Sequence, residues 1–331
     1  MKNFKTGTIA AASALMMCSG MAWGADMPGE GVTVRPIEGT VLEERFQNQI
    51  IYRALEQLGY TIGDPQSVEY QTIVLAIGTG DGDFTTVFYD PLHEHFFKES
   101  GGADAMTKAG HLITGAVQGY LVDKASYDAG VTNIGDLTDP EIAKRFDNDG
   151  DGKADLAGCP PGWGCERVIE HHMDAYGLRD TVTHNQGSYN AVIADTIAVH
   201  EAGKPIIYYT WTPYWVSGIL VPGKDVEWIE VPFTSLPDER TDDTMYQDKN
   251  LGFAVNELRI LANNDFLAAN PAAAKLFELA QIDINDVSAE NYAMRQGEDS
   301  IEDIDRHVDE WIKAHKTEYE GWIEAARKAA D

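Results

Sequence analysis

Apolar positions along the chain follow two rhythms that take turns. Val32–Ile37 reads as a short strand, and a helix is predicted over about Glu43–Leu58, where Phe46, Ile50, Ala54 and Leu58 share one face and Gly59 stops it. Phe84–Phe88 is strand-like and leads into Tyr89-Asp90-Pro91-Leu92-His93, and Gly115–Val122 is strand-like again. Helices are predicted over Glu166–Tyr176 and Tyr189–Glu201. Between and after them fall strands over Lys204–Thr210, Glu227–Val231 and Gly252–Ala262. Phe266–Ala280, Ile301–His315 and Thr317–Ala330 make a helical end. Strands and helices alternating over short connections predict an α/β protein with mainly parallel pairing. In open α/β sheets the working residues gather in loops beyond the strands' carboxyl ends. Tyr89, His93 and Trp211 follow strands in that way, and Trp163 sits just before a helix.

The first residues change the picture, because they read as an export signal rather than as part of the fold. Lys2 and Lys5 precede an apolar, small-residue stretch from about Thr8 to Met21, and Ala22-Trp23-Gly24 suits a signal peptidase. Residues 1–24 are therefore expected to be removed, with Ala25 as the mature start. That run is shorter than the ~20 residues a spanning helix needs, and no later stretch is long and apolar enough, so the mature chain is expected to be water-soluble and periplasmic. A lipoprotein reading through Cys18 is disfavoured by the bulky Met16 and Met17. Losing two lysines moves the formal charge from −29 to −31, a surface that repels nucleic acid and anionic lipid. Only Cys159 and Cys165 then remain, and two cysteines this close in an oxidising compartment are expected to pair. A loop of about seven residues gains only about 2.4 kcal/mol from closure, so the bond suits fixing one loop better than stapling a fold.

Enzyme signatures are missing: no phosphate loop of P-loop spacing, no His-Glu-x-x-His, no Gly-x-Ser-x-Gly. His171-His172 and His93/His95 lack evident partner ligands for zinc, which takes three or four. Aromatic residues in loops stand out instead. Trp163 lies within Cys159-Pro160-Pro161-Gly162-Trp163-Gly164-Cys165, and Trp211 within Tyr208-Tyr209-Thr210-Trp211-Thr212-Pro213-Tyr214-Trp215. A quaternary ammonium has no N–H to donate, whereas ring faces attract it by roughly 0.5–2 kcal/mol each. Taken alone, such rings are more often core than cage.

Long strings spread over the mature chain resemble one family. They include Ala54-Leu55-Glu56-Gln57-Leu58-Gly59-Tyr60-Thr61, Gly158–Cys165, Thr183-His184-Asn185-Gln186-Gly187, Tyr208–Val216 and Asp309-Glu310-Trp311-Ile312-Lys313-Ala314-His315. The family is that of the periplasmic glycine betaine/proline betaine-binding proteins (ProX type) of osmoprotectant ABC importers. The resemblance implies a non-enzymatic, two-lobed periplasmic binding protein (type II) that closes around its ligand and delivers it to a membrane permease. Lobe 1 would comprise residues 25–116 and 253–331, and lobe 2 residues 117–252. It also implies ring walls at Trp163 and Trp211, a carboxylate contact at His93, and backbone contacts at Gly164 and Cys165. The third wall, Trp in similar members, is Tyr89 here. Indole is the stronger cation–π partner, so Tyr89→Trp is expected to tighten binding.

Asp147, Asp149, Asp151 and Asp155 stand at positions 1, 3, 5 and 9 of an EF-hand-like loop with Gly152 at position 6. Position 12 is Gly158, so the strong bidentate ligand is missing; structural calcium and a hydrated Asp/Gly turn both remain open. Choline or another quaternary-ammonium solute is the alternative ligand. The alternative of another class is a secreted hydrolase, with His184 beside Asn185 as its nearest catalytic suggestion.

Overall fold

The computed structural model describes residues 27–330, so the predicted signal over residues 1–24, Cys18 included, lies outside the described residues. Two sheets organise the rest into two lobes. In one, Asn256–Asn263 lies between Phe84–Asp90 and Met106–Ala116, antiparallel to both. The other runs in the order Val226–Ile229, Gln118–Asp123, Ile207–Trp211, Ala154–Ala157, Val182–Asn185. Its first two pairings are antiparallel and its last two parallel. The expectation of mainly parallel pairing is therefore corrected. Hydrophobic rhythm finds elements but carries no direction, and here the chain crosses between sheets instead of winding along one.

The crossing explains a second difference. Gly115–Val122 reads as one strand, yet Ala116 ends a strand of the three-stranded sheet and Gln118 begins one of the five-stranded sheet. Val117 alone links them. The chain returns between the short strand Lys249–Asn250 and the strand Asn256–Asn263.

Local chemistry accounts for other departures. Val32–Ile37 is two short strands, Thr33–Val34 and Ile37–Glu38, separated by Pro36, which has no N–H for a ladder. The predicted helix Phe266–Ala280 is two, Asn264–Ala269 and Pro271–Leu279, because a proline breaks the ladder and pushes Asn270 out of helical geometry. The strand Met106–Ala116 went unread because exposed polar positions interrupt it, and Gly110 bends it at φ 58°. A Cβ there would stand 2.3 Å from the Phe277 carbonyl oxygen. The amphipathic helix Arg45–Gln57 buries Phe46, Ile50 and Ala54 as predicted, and Phe46 meets Trp311 of the helix Ile301–Ala314 edge-on at 6.5 Å. No helix among the described residues is long and apolar enough to cross a membrane.

Candidate functional site

Tyr89, His93, Trp163, Gly164, Cys165 and Trp211 all line one cavity in the cleft. Tyr89 comes from the strand Phe84–Asp90, and His93 ends the turn that follows. Trp211 is the last residue of its strand, and Tyr209, two residues earlier and so on the same face, lines the cavity beside it. Trp163 and Trp211 meet edge to face at 5.6 Å, and Tyr70 meets Trp163 likewise at 5.3 Å. Trp163 is held from both lobes: its ring stacks on Tyr189 at 5.8 Å, and its Nε1–H donates to Glu69 Oε2 at 2.7 Å.

Next to the rings lie groups suited to an anion. Tyr89 N–H donates to His93 Nδ1 at 3.3 Å, which leaves Nε2 as the nitrogen that carries the ring's proton. Burial pushes the His93 pKa down to about 3, so the ring is a neutral N–H donor at any ordinary pH. Trp163 is the N-cap of the helix Gly164–Ala175, and no side chain caps the first turn. The N–H groups of Gly164 and Cys165 open that helix, where backbone dipoles favour negative charge. The Cys159–Cys165 disulfide closes the loop just before it, with Cα atoms 6.0 Å apart.

Behind the rings stands a buried carboxyl. Glu44 Oε1 accepts from the Tyr70 hydroxyl at 2.7 Å and the Tyr89 hydroxyl at 2.9 Å, while Oε2 is buried with no partner among the described residues. Burial drives the Glu44 pKa up to about 8, against the pull of the two phenol hydrogen bonds.

Tyr70, Tyr209, Gln118 and Asn256 also line the cavity and were not singled out from sequence. Tyr70 opens the helix Tyr70–Thr79, where Tyr70, Ile73, Val74 and Ile77 read as an ordinary core stripe. Tyr209 lies inside the aromatic run already noted. Gln118 accepts from the Tyr209 hydroxyl at 2.7 Å and donates to the Ala254 carbonyl at 3.1 Å, tying the two chain crossings together.

Four other histidines have structural duties. His172 is buried between the Tyr120 hydroxyl at 2.9 Å and the Ser235 carbonyl at 2.9 Å, and His171 faces the Ser235 hydroxyl at 2.8 Å. His95 pairs with Glu99 and Asp238. His184 meets Glu170 at 2.7 Å through Nδ1 and accepts from Cys159 N–H at 3.1 Å through Nε2, so both ring nitrogens are engaged in holding the cystine loop. Asp147, Asp149 and Asp151 bring carboxylate oxygens within 4.8 Å of one another. Asp155 is turned to Asn148 N–H at 2.7 Å and the Asn185 amide at 3.0 Å, apart from that group.

A profile of the substrate binding domain of ABC-type glycine betaine transport systems matches residues 32–314. The glycine betaine-binding periplasmic protein OusX of Dickeya dadantii is 48% identical over 333 aligned positions, covering 100% of both chains. The glycine betaine/proline betaine-binding periplasmic protein of Escherichia coli is 48% identical over 315 positions, 95% of this chain and 96% of that one. Lactococcal OpuAC in its closed-liganded conformation with glycine betaine shares the fold. Its TM-score is 0.68 at 16% identity, covering 88% of this chain and 99% of that one. The two-lobed cleft and matches running from end to end agree: the chain belongs to the family of substrate binding domains of ABC-type glycine betaine transport systems.

Proposed function

We propose that the chain captures glycine betaine, or the related proline betaine, outside the cytoplasm and hands it to the membrane permease of an ABC importer for osmoprotection. The observation that carries this reading is the mixed chemistry of one cavity. Ring faces of Trp163, Trp211 and Tyr89 suit an ammonium that cannot donate a hydrogen bond, and the neutral His93 with the Gly164 and Cys165 amides suits a carboxylate beside it. Choline has no carboxylate and would leave those donors idle, which favours a betaine.

The protein is a binder that returns its ligand unchanged rather than an enzyme. It works in the periplasm after cleavage at Gly24. Its lobes comprise residues 25–116 with 253–331, and 117–252. Calcium at Asp147, Asp149 and Asp151, with Asp155 behind them, is a separate proposal favoured by the convergence of the first three carboxylates.

Calorimetric titration of the mature protein against glycine betaine, proline betaine, choline, ectoine and proline tests the ligand. The betaines should bind and be recovered intact. Heat with ectoine or proline but none with either betaine would sink the reading, and a reaction product would restore the hydrolase.

A further inference from the structure

Both tyrosines that line the cavity from the lobe of the three-stranded sheet end on the same atom. Tyr70 and Tyr89 hydroxyls donate to Glu44 Oε1 at 2.7 and 2.9 Å, and their rings meet edge-on at 5.9 Å. The carboxyl therefore fixes the tilt of two rings at once. Its other oxygen is buried without a partner, and a Cβ on Gly39 would come within 2.2 Å of it. A buried acceptor left short in this way costs stability, so something must repay its presence. Among the described residues no cation pairs with it: Tyr70 and Tyr89 are its hydrogen-bond partners, and the carboxyls whose charge acts on it are Glu43 and Glu38. Arg45 follows it as the first residue of the helix Arg45–Gln57, its Nε buried and without a partner among the described residues, and the Tyr214 phenol of the opposite lobe is bonded to Asn190. The helix Ile284–Arg295 also packs on this turn, but it sends Glu290 to His307 and Arg295 over the Trp215 ring.

We propose that Glu44 is a positioning residue of the cage: it holds Tyr70 and Tyr89 from behind and supplies the buried negative charge that a bound quaternary ammonium compensates. The proposal rests on the betaine reading and deepens it. The phenols act as relays, since an ionised acceptor on the hydroxyl makes each ring face richer in electrons.

A proton follows. Without ligand the carboxyl is mostly protonated at pH 7, because burial lifts its pKa to about 8. An ammonium in front of Tyr70 and Tyr89 favours the ionised form, so binding expels the proton to the buffer. Linkage then makes affinity rise with pH up to the pKa of the free protein and level off above it. One pKa unit of coupling corresponds to about a tenfold change in affinity. In the ligand-free protein the sign is opposite. The unfolded chain gives up this proton first, so Glu44 lowers the stability of the empty fold as pH rises from the ordinary carboxyl range through about 8. His93 stays neutral throughout, its pKa being about 3.

The test is calorimetric titration with glycine betaine at pH 6, 7, 8 and 9, in paired buffers of different ionisation enthalpy, for the mature protein and Glu44→Gln. Glutamine keeps an oxygen for both phenols and removes the charge. The wild type should bind about tenfold more tightly at pH 9 than at pH 6 and release protons at pH 7. Glu44→Gln should bind with no pH dependence and no proton release. Binding by the wild type that is flat with pH and releases no proton overturns the proposal and leaves the betaine reading standing. The same pH rise in Glu44→Gln overturns it too. Should that variant fail to fold, proton release by the wild type decides alone. A folded wild type that binds no betaine at any pH removes the reading and the proposal together.

Discussion

Trp163 is tied to both lobes at once. Its ring stacks on Tyr189 and meets Trp211 and Tyr70 edge-on, while its indole N–H reaches Glu69. Truncating it or Trp211 removes one desolvated π face, so each alanine variant should bind glycine betaine about tenfold more weakly, or worse, by calorimetry. Unchanged affinity in both would leave the cage without support. His93 separates ligands instead. With its ring neutral down to about pH 3 and Nδ1 taken up by Tyr89 N–H, Nε2 can only donate, and the acceptor it would serve is a carboxylate. His93→Leu should therefore weaken betaine more than choline in side-by-side titrations, and an equal loss would remove the carboxylate role. At Tyr89 the buried carboxyl works against ring electronics. Tryptophan there would forfeit the hydroxyl bond to the buried Glu44 and overfill a site where Tyr89 is only 8% exposed. Tyr89→Trp should weaken betaine several-fold in the same assay, and tightening would show that Glu44 does not need that phenol.

Elements with one strong face were legible in the sequence; those that share their faces were not. The helix Arg45–Gln57 and the helices Ile301–Ala314 and Lys316–Ala329 were read within a few residues, because each buries a single stripe. Strand direction was lost, since period-two alternation looks the same from either end. The strand Met106–Ala116 was lost to its exposed polar positions and its bend at Gly110. For the cavity, loop aromatics carried a visible signal, while Tyr70 hid in a helix whose spacing reads as core and Glu44 among charged neighbours on a helix start. The Asp147–Asp155 loop was legible as a pattern but ambiguous as chemistry. Asp147 accepts from Gly150 and Gly152 N–H at 2.6 and 2.9 Å, and Asp149 from Asp151 N–H at 2.9 Å, so the turn also holds itself. If calcium binds, a chelator should lower the melting temperature and Asp149→Ala should abolish that sensitivity. A melting curve indifferent to chelation would leave a self-bonded turn.

Closure brings the two lobes so near that one position has no room for a methyl group. Trp163 Nε1–H reaches Glu69, Gln71 N–H reaches the Gly162 carbonyl at 3.4 Å, and the Asn291 amide reaches the Pro213 carbonyl at 3.3 Å. At the centre of these contacts is Gly164, the first residue of its helix. A Cβ there would stand 2.8 Å from Leu92 Cγ, 2.9 Å from His93 Cδ2 and 3.1 Å from the Leu92 carbonyl oxygen, all of the opposite lobe. Within its own lobe the change is harmless, because alanine is the better helix former by up to about 1 kcal/mol. Gly164→Ala thus penalises only the closed arrangement, and overpacking of this kind costs typically about 1–3 kcal/mol. A ligand that grips both lobes must then supply that difference before closure can occur. Betaine affinity should fall about tenfold or more by calorimetry, with the melting temperature of the ligand-free protein unchanged or slightly raised. Small-angle scattering at saturating betaine should show a wider particle than the wild type. A drop in affinity together with a drop in ligand-free stability would mean that the methyl group damages the lobe itself. Unchanged affinity would mean that Leu92 and His93 move aside, and that this contact does not limit closure.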